Sequence, residues 1–153
     1  MNAIKLTWVD FLKSMQTKKY YLAVTLTFVQ WKRGQNLKIN SSIANETTRQ
    51  FLNRLNSECF GHSAKRKGHC IGSVVTVGKN DPYGKIHAHL ALTIPENFTA
   101  GEFIALIEKI ASRFNWIDQQ LHIDFYREAI WLKYMVNHGI DSLLLDCCNQ
   151  AKP

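Results

Sequence analysis

The apolar periodicities predict an α+β domain built as β-α-β-β-α-β and followed by one more helix. Three segments alternate apolar and polar residues with the period of two that belongs to a strand, and a fourth, residues 70–77, also reads as a strand. Two segments repeat apolar residues at three- and four-residue intervals and begin with cap signals. A turn-forming run, Lys79-Asn-Asp-Pro-Tyr-Gly84, joins the second and third strand segments into a hairpin. At 153 residues the chain is long enough for one domain with a real core.

The elements follow in order. Ile4, Trp8, Phe11, Leu12 and Met15 fall at helical spacing, which predicts an N-terminal helix within residues 1–19. Residues 20–29 read as the first strand, with Leu22, Val24, Leu26 and Phe28 on one face and Thr25 and Thr27 on the other. Lys32-Arg-Gly-Gln-Asn36 reads as a basic loop. Residues 42–57 read as a helix, capped by Ser41-Ser42, with Ile43, Thr47, Phe51, Leu52 and Leu55 inward. Gly61 to Gly68, which contains Lys65-Arg66-Lys67, reads as a second basic loop. Residues 70–77 and 85–94 are the hairpin strands. Thr99-Ala-Gly-Glu102 is a capping box that opens a helix with Phe103, Leu106, Ile107, Ile110 and Phe114 inward. Leu121 to Tyr126 alternates again. A last helix is expected over Arg127 to His138, with Gly139 as its left-handed cap and one or two helical turns in the tail over Ser142 to Cys148.

This order is that of the ferredoxin-like split βαβ arrangement. It divides the chain into the N-terminal helix (1–19), a core (20–126), and a closing helix and tail (127–153), all in one domain. Both core helices are expected on one sheet face. The other face then gathers Thr25, Thr27, His87, His89, His122 and Asp124, with the first and third strands as central neighbours.

Within that face the frame His87-Ala88-His89 is the most informative feature. Histidines at i and i+2 on a strand stand side by side, and together they can grip one metal ion on an exposed sheet face. Two polar residues on a solvated strand would produce the same pattern. Cys59, His62, His69 and Cys70 match no common zinc spacing, and the four cysteines show no disulfide framework.

Nineteen Lys and Arg against twelve Asp and Glu leave a net charge of +7, which favours a polyanionic partner, most commonly nucleic acid. No apolar run approaches the roughly 18 residues needed to span a membrane, and no signal-peptide pattern opens the chain. A cytoplasmic protein without a membrane partner is therefore expected.

Three segments resemble the HUH endonucleases, the single-strand DNA nickases that include plasmid and phage Rep initiators and single-tyrosine transposases. Val24-Thr-Leu-Thr-Phe28 resembles the first Rep motif. His87-Ala-His89 resembles the His-hydrophobe-His motif. Glu128-Ala-Ile-Trp-Leu-Lys133-Tyr134 resembles the third motif, and Tyr134-Met-Val-Asn137-His138 also resembles the Tyr-x-x-Asn-Gln stretch of the transposases. The resemblance covers about residues 20–140 in order and topology. There are departures. Ile130 stands where many Rep proteins keep a second tyrosine, Asn137-His138 replaces the usual later lysine, and no carboxylate lies on the hairpin strand opposite the histidines.

The resemblance implies a nicking and rejoining enzyme, most simply a rolling-circle initiator of a plasmid or phage. Tyr134 would be the nucleophile, forming a 5′-phosphotyrosine link and freeing a 3′-OH, with Tyr126 as its competitor and Lys133 or Lys85 balancing phosphate charge. His87 and His89 would hold a divalent metal with a third ligand, first His138, then Asp124 or His122. Imidazoles suit Mn²⁺, Zn²⁺ or Ni²⁺, and a mixed His/oxygen site also accepts Mg²⁺. Single-stranded DNA, at an origin or a hairpin, would meet Lys32, Arg33, Lys65, Arg66, Lys67 and Lys85, with Trp31, Tyr83 or Trp131 stacking on bases. No Walker-type sequence is present, so unwinding falls to a host helicase, supercoiling or an extruded hairpin. Two other readings share the fold: an RNA-recognition-type domain, whose central strands would need stacking aromatics in place of these His and Thr residues, and a catalytically silent HUH-like protein that binds nucleic acid or regulates.

Overall fold

A computed structural model of the chain describes residues 21–79, 84–126, 143–149 and 151–152. The expected N-terminal helix and the closing helix with Trp131, Lys133, Tyr134 and His138 lie outside these residues, as does Tyr83.

The described chain is α+β. Its elements are β1 (Tyr21–Thr27), the two-residue strands β2 (Trp31–Lys32) and β3 (Leu37–Lys38), α1 (Ser41–Phe60), α2 (His62–Arg66), β4 (Ser73–Lys79), β5 (Ile86–Thr93), α3 (Ala100–Ala111) and β6 (His122–Tyr126). Four strands form one antiparallel sheet in the order β4-β5-β1-β6. That order is compatible with a ferredoxin-like arrangement.

Strand parity decides the layers. Leu22, Val24 and Leu26 of β1, Val75 and Val77 of β4, and Ile86, Ala88, Leu90 and Leu92 of β5 join Phe51, Leu52 and Leu55 of α1 and Phe103, Ile107 and Ile110 of α3 in one buried cluster. In register, Leu90 lies between Val24 and Val75, and Ala88 lies between Leu26 and Val77. Every second residue of the central strands is therefore committed to the helix layer, and the intervening ones must face the other way.

Local chemistry sets the boundaries. The side chain of Asn40, not that of the Ser41-Ser42 pair, caps α1 by accepting the Ile43 N–H at 2.9 Å. The helix runs to Phe60 because Cys59 adds a buried residue to its inner face, and it breaks at Gly61, whose φ of 55° favours glycine. The expected second basic loop is instead the short helix α2, whose Ala64, Lys65 and Arg66 are good helix formers. The first basic loop folds as the β2–β3 hairpin around a 3₁₀ turn at Arg33–Gln35, with Asn36 in the left-handed region at φ 51°. The strand expected from residue 70 starts only at Ser73. Gly72 passes so close to Thr93 that a Cβ would lie 2.8 Å from the threonine methyl, and its N–H is taken by Thr93 Oγ1.

The tail does not form the expected helical turns beyond the 3₁₀ turn Leu145–Cys147. It pairs along the outer edge of β4, with bridges Thr76–Leu143, Ser73–Asn149 and Cys70–Lys152. An edge strand offers unpaired backbone groups, and the tail satisfies them. Burial raises the thiols of Cys59 and Cys147 to about 12 and that of Cys148 to about 11, so all three stay protonated at neutral pH. No described helix is long and apolar enough to cross a membrane.

The Thr99/Glu102 capping box forms as expected. The Thr99 backbone N–H, then its hydroxyl, hold the Glu102 carboxyl below the usual carboxylate range. A lowered pKa contributes stability that is present above the ordinary value and is lost as pH falls through the lowered one. The melting temperature of Glu102→Gln should therefore lie below that of the wild type at neutral pH and converge with it in acid. A constant gap across pH 2–7 in parallel melts would contradict this.

Candidate functional site

β5 is a central strand, with β4 on one side and β1 on the other. Because Ile86, Ala88, Leu90 and Leu92 face the helices, His87 and His89 project from the opposite face. Across the sheet, His87 lies between Gly78 and Thr27. His89 lies between Thr76 and Thr25, with His122 beyond Thr25 in the same row. The structure thus places Thr25, Thr27, His87, His89, His122 and Asp124 on one face, as the alternation predicts.

The two imidazole centroids are 6.4 Å apart and their planes are inclined by 54°. An imidazole bound through nitrogen at about 2.1 Å has its centroid roughly 3.2 Å from the ion, so 6.4 Å is about the outer limit for two rings on one ion. At that separation the two ligands would subtend a nearly straight angle, so the rings would have to approach each other to reach tetrahedral or octahedral angles on a shared ion. Thr25 Oγ1 lies 3.1 Å from His89 Nδ1. If Nδ1–H donates to that hydroxyl, the ring's lone pair lies on Nε2, which is the tautomer a metal ligand requires.

One expectation is corrected. The histidines do not lie on an open, solvated face: His89 is 6% exposed and Thr76 1% exposed, and His87 is half-buried. The neighbouring row is buried as well: the apolar Val74, Ala91 and Ala23 lie side by side there. The second face therefore has an apolar half that is excluded from water, and the His89 row borders it. Thr76 Oγ1 is buried with no hydrogen-bond partner among the described residues. The sequence reading did not select Thr76, although its parity between Val75 and Val77 placed it on this face.

The remaining residues divide. Asp124 is two strands from β5, about 10 Å laterally, and a further register step from His89. Its Oδ1 accepts the Phe125 N–H at 2.7 Å. His122 shares the row of His89 at the same two-strand spacing and is exposed. The described residues contain no group of three His, Cys, Asp or Glu placed to hold a metal ion. Tyr126 ends β6 opposite Tyr21, four register steps or about 14 Å along the sheet from the His89 row.

The basic segments also separate. Gln30 donates to the Phe28 and Ile86 carbonyls and accepts the Ile86 N–H, which staples the chain after β1 to the start of β5. The β2–β3 hairpin therefore stands at the His87 end of the sheet. There Lys32 lies 4.0 Å from the Trp116 ring centroid, and Arg33 stacks on Trp31, which is half exposed. Lys85 is exposed immediately before β5. Lys65, Arg66 and Lys67 follow α1 toward the start of β4, at the opposite end from His87. Sequence reasoning missed Gln30, whose partner Ile86 is 56 residues away and leaves no local signal.

No protein-family model, no curated protein and no solved structure matches the chain.

Proposed function

We propose that the protein is a metal-dependent single-stranded DNA nickase and strand transferase of the HUH type, built on a ferredoxin-like fold. The observation that carries this reading is the His87/His89 pair on a central strand, with Thr25 against His89 Nδ1. The residues suit a divalent ion: two imidazoles supply nitrogen ligands, and the buried Thr76 hydroxyl in the same row, without a hydrogen-bond partner among the described residues, suits a hydrogen bond to an oxygen ligand. When bound, such an ion, Mn²⁺ or Mg²⁺, neutralises charge on the scissile phosphate.

The protein's own groups do the rest. Thr25 fixes the ring and tautomer of His89. Lys32, Arg33 and Lys85, at the His87 end, draw the strand to the site through its phosphates. Tyr134 attacks the scissile phosphorus, the P–O3′ bond breaks, and the 3′-oxygen leaves as a hydroxyl after taking a proton. The bond energy is retained in the 5′-phosphotyrosine link, so attack by a 3′-OH reverses the step.

The test is a randomised single-stranded DNA library incubated with Mn²⁺ and resolved on a denaturing gel. A covalent adduct should form with the wild type and with Tyr126→Phe, and should vanish with Tyr134→Phe. Loss confined to Tyr126→Phe would overturn the choice of nucleophile. The burial of His89 favours a second reading, a silent protein of the same fold that binds nucleic acid; DNA retention without adduct in any metal would select it.

The orienting role of Thr25 has its own measurement. Thr25→Val keeps the shape of the side chain and removes the hydroxyl. Mn²⁺ affinity should fall about 10- to 100-fold in calorimetric titration. Unchanged affinity would remove Thr25 from the site.

A further inference from the structure

On the helix side of the molecule, away from the histidine face, a cleft of about 860 Å³ opens between α1, α2, the segment just after α3 and the tail at Asn149. Its lining contains Arg54, Lys65 and Arg113 and no carboxylate. Lys152 adds to this charge, with its Nζ 3.9 Å from where a Cβ on Gly68 would stand. Glu58 lies 3.3 Å from Arg54 and 3.6 Å from Arg113, so it bridges the two guanidiniums and offsets one of their charges, and with Lys65 the cluster stays positive. Such a site selects an anion and rejects a metal cation.

The rest of the lining is wrong for a bare anion. Asn53, Asn56 and Asn149 present amides, which can read the donor and acceptor edge of a planar base. Asn56 is already oriented, because its Oδ1 accepts the Ile71 N–H at 2.8 Å and its NH₂ is left to donate. Phe114 supplies an aromatic wall and is itself held edge-to-face on Phe51, with centroids 6.3 Å apart. The volume is far larger than a phosphate and within the range of pockets that hold small organic ligands.

We propose that this cleft binds a nucleoside phosphate, with the phosphate on Arg54, Lys65 and Arg113 and the base against Phe114 and the asparagine amides. The ligand is a free nucleotide or one unpaired nucleotide of a single strand. The site is separate from the histidine face and does not depend on the nickase reading.

The experiment is calorimetric titration of the full chain with dAMP, with inorganic phosphate and with a short oligo-dA lacking terminal phosphates. dAMP should bind at least about tenfold more tightly than phosphate, a difference of about 1.4 kcal/mol. Arg113→Ala and Lys65→Ala should each weaken dAMP about tenfold or more. Glu58→Gln should tighten it, and Lys109→Ala, an exposed charge outside the cleft, should leave it unchanged. Lys65 is exposed on the short helix α2, so its replacement does not threaten the core. Oligo-dA binding that is as tight as dAMP and equally sensitive to Arg113→Ala identifies a strand as the ligand; dAMP binding alone identifies a free nucleotide. Equal affinity for dAMP and phosphate, or dAMP binding indifferent to both Arg113→Ala and Lys65→Ala, overturns the proposal. His87→Ala should not affect this titration, so the cleft and the nickase site fail independently.

Discussion

His89→Ala is expected to abolish Mn²⁺ binding and DNA nicking together. The side chain lies on the middle row of the sheet, is nearly buried, and is positioned by Thr25 through Nδ1. Losing a partner that merely orients a metal-bound histidine typically costs about 10- to 100-fold in affinity or activity, and losing the ligand itself must cost more. A drop of nicking rate beyond about 100-fold is therefore predicted, and His87→Ala should behave alike. The fold should survive, because His89 faces away from the cluster that joins the sheet to α1 and α3. Circular dichroism of the variant should match the wild type while the gel shows no product. Wild-type nicking by His89→Ala would mean that the imidazole is structural.

The second large effect falls on the other side of the same strand. Leu90 is completely buried, between Val24 and Val75, facing the helix layer. Leu90→Ala removes buried methyl groups from the centre of the core and leaves a cavity that rigid neighbouring strands cannot close. Such changes cost about 2–5 kcal/mol. For a chain of this length each kcal/mol lowers the melting temperature by about 2–4 °C, so a fall of roughly 4–20 °C is expected. Urea unfolding should show a lower midpoint at unchanged slope. Mn²⁺ affinity of the folded fraction should stay near wild type, because the backbone that carries His89 is held on both sides by β4 and β1. A loss below about 1 kcal/mol would show that Leu90 is not at the centre of the core. Two adjacent residues of β5 are thus expected to separate, His89 affecting the proposed site and Leu90 the fold.

The same alternation explains what was legible in the sequence. A period of two is a local signal, so the faces of β1, β5 and β6 followed from parity alone, and with them the gathering of Thr25, His87 and His89. The Thr99/Glu102 box was legible because its partners are three residues apart. Features that depend on distant partners were not. The pairing of the tail with the β4 edge joins Ser73 to Asn149, and the Gln30 staple joins β1's exit to Ile86. Neither leaves a pattern in a short window. Choosing Ser41-Ser42 over Asn40 as the cap was a one-residue error among residues of similar capping strength. The closure of the second face was missed for another reason. Ala23, Val74 and Ala91 sit on three different strands, and only the register shows that they form one apolar patch beside the histidines. The register likewise places Asp124 and Tyr126 well away from the pair with which the sequence grouped them.

Pulsed electron paramagnetic resonance of the Mn²⁺-loaded protein reads the histidine pair directly, through the nuclear modulation of coordinated imidazole nitrogen. The wild type should show nitrogen modulation from two imidazoles, weakened in His87→Ala and in His89→Ala and absent when both are replaced. Modulation missing from the wild type, or persisting undiminished in the doubly substituted protein, would contradict a shared metal ion at this pair.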